Sequence, residues 1–385
     1  MVSEENKYNI LAKNYIHVDF EKVLFPLTLT QYFILSPKYY LCQNYIRPNS
    51  VFTNVILCSL TVIIFVCFLY FSFKYLIDAQ VFLNDFLGFL YYLENLIYAF
   101  GYLFNGVFLI VKSRVNVELI VCIQIIINNL GINKSDKQRI IFGNWIFCFL
   151  IFLFYFLNTY IQLFHAFTTY VIMVLSIFIH MPLDFNIVYA TRILYLLRKQ
   201  TENWMMHLNY MLNASIEENN TLGKYRWQSM LKGYLSIIDA YYICEKITEI
   251  PVIYHVILIF VQLIVSIQTV IQVIIKIFQI KTVSWVLMLC VMWSFKHGIL
   301  LAVLSLECEN FFMCLKNSQV ACLTTAYQNI PVSGHQVCKR LRKESRKQLQ
   351  PMTAKGFFNV NAALLLNLFS IVATYVVVLL QFNFL

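Results

Sequence analysis

Seven stretches of this chain are long and apolar enough to cross a bilayer as helices, and that leaves few choices of fold. A helix needs about 20 mostly apolar residues to span the hydrocarbon core. The stretches are residues 51–72, 86–111, 140–164, 168–191, 252–275, 282–305 and 357–382, and the first, third and last carry no charged side chain. Hydrophobic residues make up 60% of the chain and charged ones 12%, against about a quarter charged in soluble domains. A water-facing fold of this size cannot bury so much apolar surface. The bilayer must be part of its solvent, and helices satisfy their backbone polar groups within their own segment. The expectation is an all-α membrane protein with seven transmembrane helices.

Lysine and arginine set the orientation, because cytoplasmic loops accumulate them. Residues 1–50, 112–139, 192–251 and 306–356 hold 25 of the 29 basic residues; the opposite side has only Lys74, Lys276 and Lys281. Lys296 lies within the sixth stretch. The N-terminus is therefore expected in the cytoplasm and the C-terminus outside, which argues against a G-protein-coupled receptor, whose N-terminus is outside. The net charge of +10 follows this loop bias and points to no nucleic-acid partner. No basic start followed by an apolar core precedes residue 50, so the first span is expected to serve as the insertion signal. The sequons at Asn133, Asn213 and Asn219 fall on the cytoplasmic side and are expected to be unmodified. The eleven cysteines have no paired spacing and read as reduced thiols.

Outer connections are short and inner ones long, so an external stimulus must bind among the helices. Four parts are expected: a cytoplasmic N-terminal segment with an interfacial helix (1–50), six transmembrane helices with long cytoplasmic connections (51–305), a cytoplasmic helical linker (306–356) and the seventh helix (357–385). The interfacial helix is placed at 25–36, bracketed by Pro26 and Pro37. Residues 191–212, 222–250 and 308–327 are expected as helical extensions, with Pro251 starting the fifth span and a turn at Pro331. Residues 339–347 form a strongly basic face suited to anionic inner-leaflet lipids.

Polar residues on the seventh stretch are ordered. Asn367, Ser370, Thr374 and Gln381 recur along one stripe at about 3.6 residues per turn, with Val377 and Val378 between. Such a stripe faces protein or water rather than lipid. Two readings stand: a pore lining with an apolar constriction at the valines, or polar packing between helices.

The same helix closes with Thr374-Tyr375, five hydrophobic residues, then Gln381-Phe382. This resembles the C-terminal signature of the insect gustatory receptor family, at all four fixed positions. The resemblance implies a ligand-gated, non-selective cation channel in the plasma membrane of a sensory dendrite. It implies four subunits, alike or mixed with other gustatory receptors, whose last helices line one pore with Gln381 and Phe382 at the gate. Sugar-receptor members favour glutamate after the tyrosine; Val376 stands here, which turns the expected tastant toward bitter or aversive compounds.

The outer halves of the second to sixth spans offer a pocket for a small amphipathic molecule. Its candidates are Tyr91, Tyr92, Glu94, Tyr155, Asn158, Tyr160, Tyr170, His180, Gln262, Ser266, Gln268, Gln272, Trp285 and Trp293; for each, plain packing is the competing role. His180 and Asp184 sit one turn apart and are expected to pair. Asp184 and Lys296 lie about 24 and 21 Å below their outer ends at 1.5 Å per residue, which makes a structural ion pair feasible. No phosphate loop, catalytic carboxylate pair, nucleophile elbow or metal-ligand spacing occurs, and the seven histidines are dispersed. The chain is thus expected to be no enzyme and to carry no cofactor or metal. A transporter would show repeats and broken midplane helices, and only Pro182 fits. An accessory subunit that needs a second receptor chain remains open.

Overall fold

Helices account for nearly all of the described chain, as a bilayer solvent demands. The computed structural model describes residues 14–42, 44–78, 86–165, 170–214, 221–276, 283–326, 332–348 and 350–384. In chain order the elements are α1 (Val18–Phe33), β1 (Tyr40–Cys42), β2 (Tyr45–Arg47), α2 (Val51–Asp78), α3 (Phe86–Leu130), α4 (Lys134–His165), α5 (Tyr170–Ala214), α6 (Thr221–Lys276), α7 (Val283–Ala326), α8 (Val332–Gln348) and α9 (Ala363–Phe384). By length and composition five helices can cross a membrane, namely α2, α4, α5, α6 and α7, and Ala363–Val378 of α9 is a shorter apolar helix. The second expected span falls on α3, which carries Tyr91, Tyr92, Glu94 and Asn95 near its start and is not one of those five.

α5 is the central pillar. Its most apolar window is 61% buried, against 17% for α2, and it packs on α3, α4, α6 and α7. The larger core lies beyond the expected spans, where α3, α5, α6 and α7 run on together. Leu119, Ile123 and Ile126 of α3 meet Ile237, Tyr241 and Cys244 of α6 and Phe311 and Leu315 of α7 in one buried cluster. Trp204 is anchored there by donating its Nε1–H to the Met230 carbonyl at 3.0 Å. Arg198 Nε lies 2.6 Å from Glu307 Oε1 and ties α5 to α7. Nearer the expected outer face, Phe68, Tyr98, Tyr102, Ile179 and Leu258 form a second cluster. Gly101 allows the α3–α6 approach, because a Cβ there would overlap the Tyr254 ring.

Several boundaries differ from those expected. The first helix starts at Val18, not Phe25, and carries Pro26 inside it. Proline costs one backbone hydrogen bond, and burial of Phe20, Val23, Leu24 and Leu27 against α4 outweighs that. Asn144 donates its Nδ2–H to the Val23 carbonyl at 2.8 Å. Pro251 likewise sits within one continuous α6 instead of starting a helix; contacts with α3, α5 and α7 hold both sides in line. α3 does not end near residue 111 but runs to Leu130, so the inner connection shrinks to 131–133. Gly131 closes it at φ 74°, a left-handed conformation open to glycine, with its N–H on the Ile127 carbonyl at 2.7 Å. The seventh span starts at Ala363 rather than 357. Before it, Thr353 and Asn359 pair across a turn in which Lys355 and Gly356 both have positive φ. The turn expected around residues 331–334 is absent at Val332, Ser333 and Gly334, which open α8; Pro331 lies outside the described residues.

Candidate functional site

Five helices bring polar and aromatic side chains together in the middle of the membrane half. α5 supplies Asp184, 1% exposed on its side chain. A buried carboxylate is costly without partners, and here three neighbours approach it. Lys296 of α7 places Nζ 2.6 Å from Asp184 Oδ2. Tyr155 of α4 donates its hydroxyl to the same oxygen at 2.7 Å. His297 Nδ1 stands 3.7 Å from the other oxygen, Oδ1, too far for a hydrogen bond.

An aromatic box surrounds the cation. Lys296 Nζ lies 3.9 Å from the Trp293 ring centroid, 5.2 Å from Phe154 and 5.3 Å from Tyr155, geometry that favours a desolvated ammonium. Trp293 donates its Nε1–H to Asn158 Oδ1 at 3.0 Å. The expected His180–Asp184 pair is not made. His180 Nδ1 instead meets the Ser176 carbonyl one turn back at 2.5 Å, and its ring centroid lies 3.9 Å from that of Tyr98 and 5.0 Å from that of Trp293, tilted against both. Pro182 lies within α5 between the two residues, and Lys296 and Tyr155 hold the carboxylate elsewhere.

Of the other pocket candidates, Tyr91 pairs its hydroxyl with Thr269 Oγ1 at 2.9 Å. Ser266 reaches Ser294 at 3.1 Å and Gln262 at 3.3 Å. Gln268 is buried with Oε1 unpartnered, and Tyr160 is 62% exposed, away from the cluster. Glu94 is half-buried and close enough to Lys296 for their charges to interact. The side chains of Tyr170, Gln272 and Trp285 lie outside the described residues.

Sequence reasoning missed Tyr98, His255 and His297. Tyr98 of α3 shares a 2.8 Å hydrogen bond with His297 Nε2, and the His255 ring of α6 lies 5.2 Å from that of His297. Their one signal was polarity inside apolar stretches; no spacing links them. His255 also lines a cavity of about 470 Å³ with Gly101, Phe104, Asn105, Leu183 and Tyr254.

α9 presents a contrasting surface. It packs mainly on α6 and α7 through Leu364, Leu368 and Val372, all buried. At about 100° per residue, Asn367, Ser370, Thr374 and Gln381 occupy a sector of about 60°, whose centre lies about 90°, about 130° and about 170° around the helix from Leu364, Leu368 and Val372. All four are exposed, as are Val377 and Val378. Thr374 Oγ1 donates only to the Ser370 carbonyl of its own helix, at 3.0 Å. Tyr375 turns the other way, its ring 6.4 Å from Phe260 of α6. The side chain of Phe382 lies outside the described residues.

These features define a helical membrane protein with an aromatic-lined polar site enclosed within one chain. Its fold matches that of the insect olfactory receptor OR5 from Machilis hrabei, with a TM-score of 0.65 at 13% identity over 94% of this chain and 98% of that one. The same receptor in complex with eugenol gives 0.60 at 14% identity, over 94% and 97%. No family model and no curated protein matches the sequence. The likeness establishes a fold shared with an insect chemoreceptor along almost the whole of both chains.

Proposed function

We propose that this chain is one subunit of a ligand-gated cation channel of the gustatory type, in the plasma membrane with its N-terminus in the cytosol. Seven helices cross the bilayer: α2 to α7 and α9. Four copies, alike or mixed, surround a pore lined by Asn367, Ser370, Thr374, Val377 and Val378, with Gln381 and Phe382 at the gate. The observation that carries this reading is the α9 stripe. Its polar residues turn away from their own chain, where lipid would be an unfavourable neighbour, and closed rotational symmetry supplies copies of itself to face. The fold shared with an insect olfactory receptor supports the chemoreceptor class. The gustatory subtype rests on the Thr374-Tyr375 and Gln381-Phe382 motif.

The stimulus binds beside the Asp184–Lys296 cluster, among Tyr91, Glu94, Tyr155, His180, Gln268 and Trp293. Aromatic walls with few polar groups suit a small amphipathic compound, and Val376 inclines the choice toward bitter or aversive ones. A ligand that binds the open arrangement better shifts the population toward it; going from about 1% to 99% open takes about 5.5 kcal/mol of differential affinity, shared among the subunits. Expression of this chain alone in cells lacking other receptors, with currents recorded during a compound screen, tests the reading. A current that survives G-protein blockade and changes selectivity in Gln381→Ala is expected. Currents only with a second receptor chain would make this an accessory subunit, and a current abolished by G-protein blockade would remove the channel.

A further inference from the structure

We propose a transition-metal site, of the kind zinc occupies, formed by Asp184, His255 and His297. One donor atom from each of these buried residues lies within 4.8 Å of the others. Each approaches from a different helix, α5, α6 and α7. Nitrogen and oxygen donors bind zinc at about 2.0–2.2 Å, so side-chain shifts on the order of 1 Å close the triangle.

The outer partners leave the inner atoms free. Tyr98 takes His297 Nε2 at 2.8 Å, while Nδ1 has no hydrogen-bond partner. Lys296 and Tyr155 both take Asp184 Oδ2, which leaves Oδ1 facing His297. His255 is 1% exposed, and neither of its ring nitrogens has a hydrogen-bond partner. Buried polar atoms are normally paired, so the unpaired His297 Nδ1 and an unpaired His255 nitrogen beside a carboxylate call for an occupant, the other His255 nitrogen staying open. The far-side hydrogen bonds of His297 and Asp184 are of the kind by which metal sites fix tautomer and orientation. Two imidazoles and one carboxylate suit a borderline ion such as Zn²⁺, not Ca²⁺ or Mg²⁺. The cavity beside His255 offers an entry path. The Lys296 ammonium on the same carboxylate weakens binding, so the ion exchanges rather than staying trapped.

The test uses the full chain in detergent, carrying a tag without histidines, with its thiols alkylated to remove the competing cysteine ligands. Titration with Co²⁺ should give one equivalent of tetrahedral d–d absorption, displaced by Zn²⁺. His255→Gln and His297→Gln should each weaken binding at least tenfold, and the exposed control His335→Gln should not. X-ray absorption of the wild-type zinc form covers the case in which the variants misfold: imidazole scattering and no sulfur is expected. A folded wild-type chain that binds no Co²⁺ would overturn the site, the ring nitrogens then being met by water. So would binding unchanged in both variants, or a sulfur shell. None of these readouts depends on channel activity.

Discussion

The two polar regions of this molecule are built on opposite terms. Around Asp184 the charged groups are buried and find their partners within the chain, on α4, α5 and α7, while His255 and His297 keep unpaired ring nitrogens. Along α9 the polar residues are exposed and find almost nothing in their own chain. The charges of the first region are matched within one copy; the polar stripe of the second is matched only when something outside the chain covers it. Polarity within an apolar helix therefore carries two meanings here, internal anchoring and assembly, and burial tells them apart.

The contrast breaks most visibly if Asp184 behaves like a surface residue. Removing one partner of a buried ion pair costs about 3–5 kcal/mol. Asp184→Asn and Lys296→Met are each expected to abolish surface expression, and the double variant to restore much of it; independent, additive losses by cell-surface labelling would dissolve the pair.

A second buried cation extends the comparison beyond the membrane half. Lys38, 3% exposed, donates to Asn186 Oδ1 at 2.7 Å, and burial pushes its ammonium down to about 8. Between that value and its ordinary 10.5 the unfolded chain binds more protons, so stability rises with pH. Thermal melting across that window should show the rise, flattened in Lys38→Met; equal slopes would mean the side chain is hydrated.

On α9 the stability effect should be small. Thr374→Val and Gln381→Ala, exposed in the single chain, are expected to change folding stability by no more than about 0.5 kcal/mol. Ser370→Cys should nevertheless cross-link copies of the chain on mild oxidation. Cross-linking no greater than at lipid-facing Val55→Cys would turn the stripe toward lipid.

The smallest effect belongs to the exposed pair of Asp19 and Lys137, 2.6 Å apart. The Lys137 hydrogen bond, then its charge, holds the Asp19 carboxyl below its usual 3.8. Its contribution is present above 3.8 and is lost as pH falls through the lowered folded value. Asp19→Asn should therefore shift melting slightly at neutral pH and not at all in strong acid. A shift that persists in acid would assign the change to packing.

Helix character was legible from composition, and so was the α9 stripe, because helical periodicity is a local property of sequence. Asp184 and Lys296 could be matched by depth, since rise per residue is fixed. The route of the backbone through Pro26 and Pro251 could not be read, because proline's local penalty is outweighed by partners distant in sequence. The Lys355–Gly356 turn hid for a related reason: Phe357, Phe358 and Val360 are as apolar as a span.

Charge pattern and apolar length by themselves determined a helical membrane chain and the face of α9 that asks for company. Only the packing decided which way α3, α5, α6 and α7 turn about their own axes. That rotation, set by side chains interlocking across helices, is what carries Tyr98, Asp184, His255 and His297 to one point.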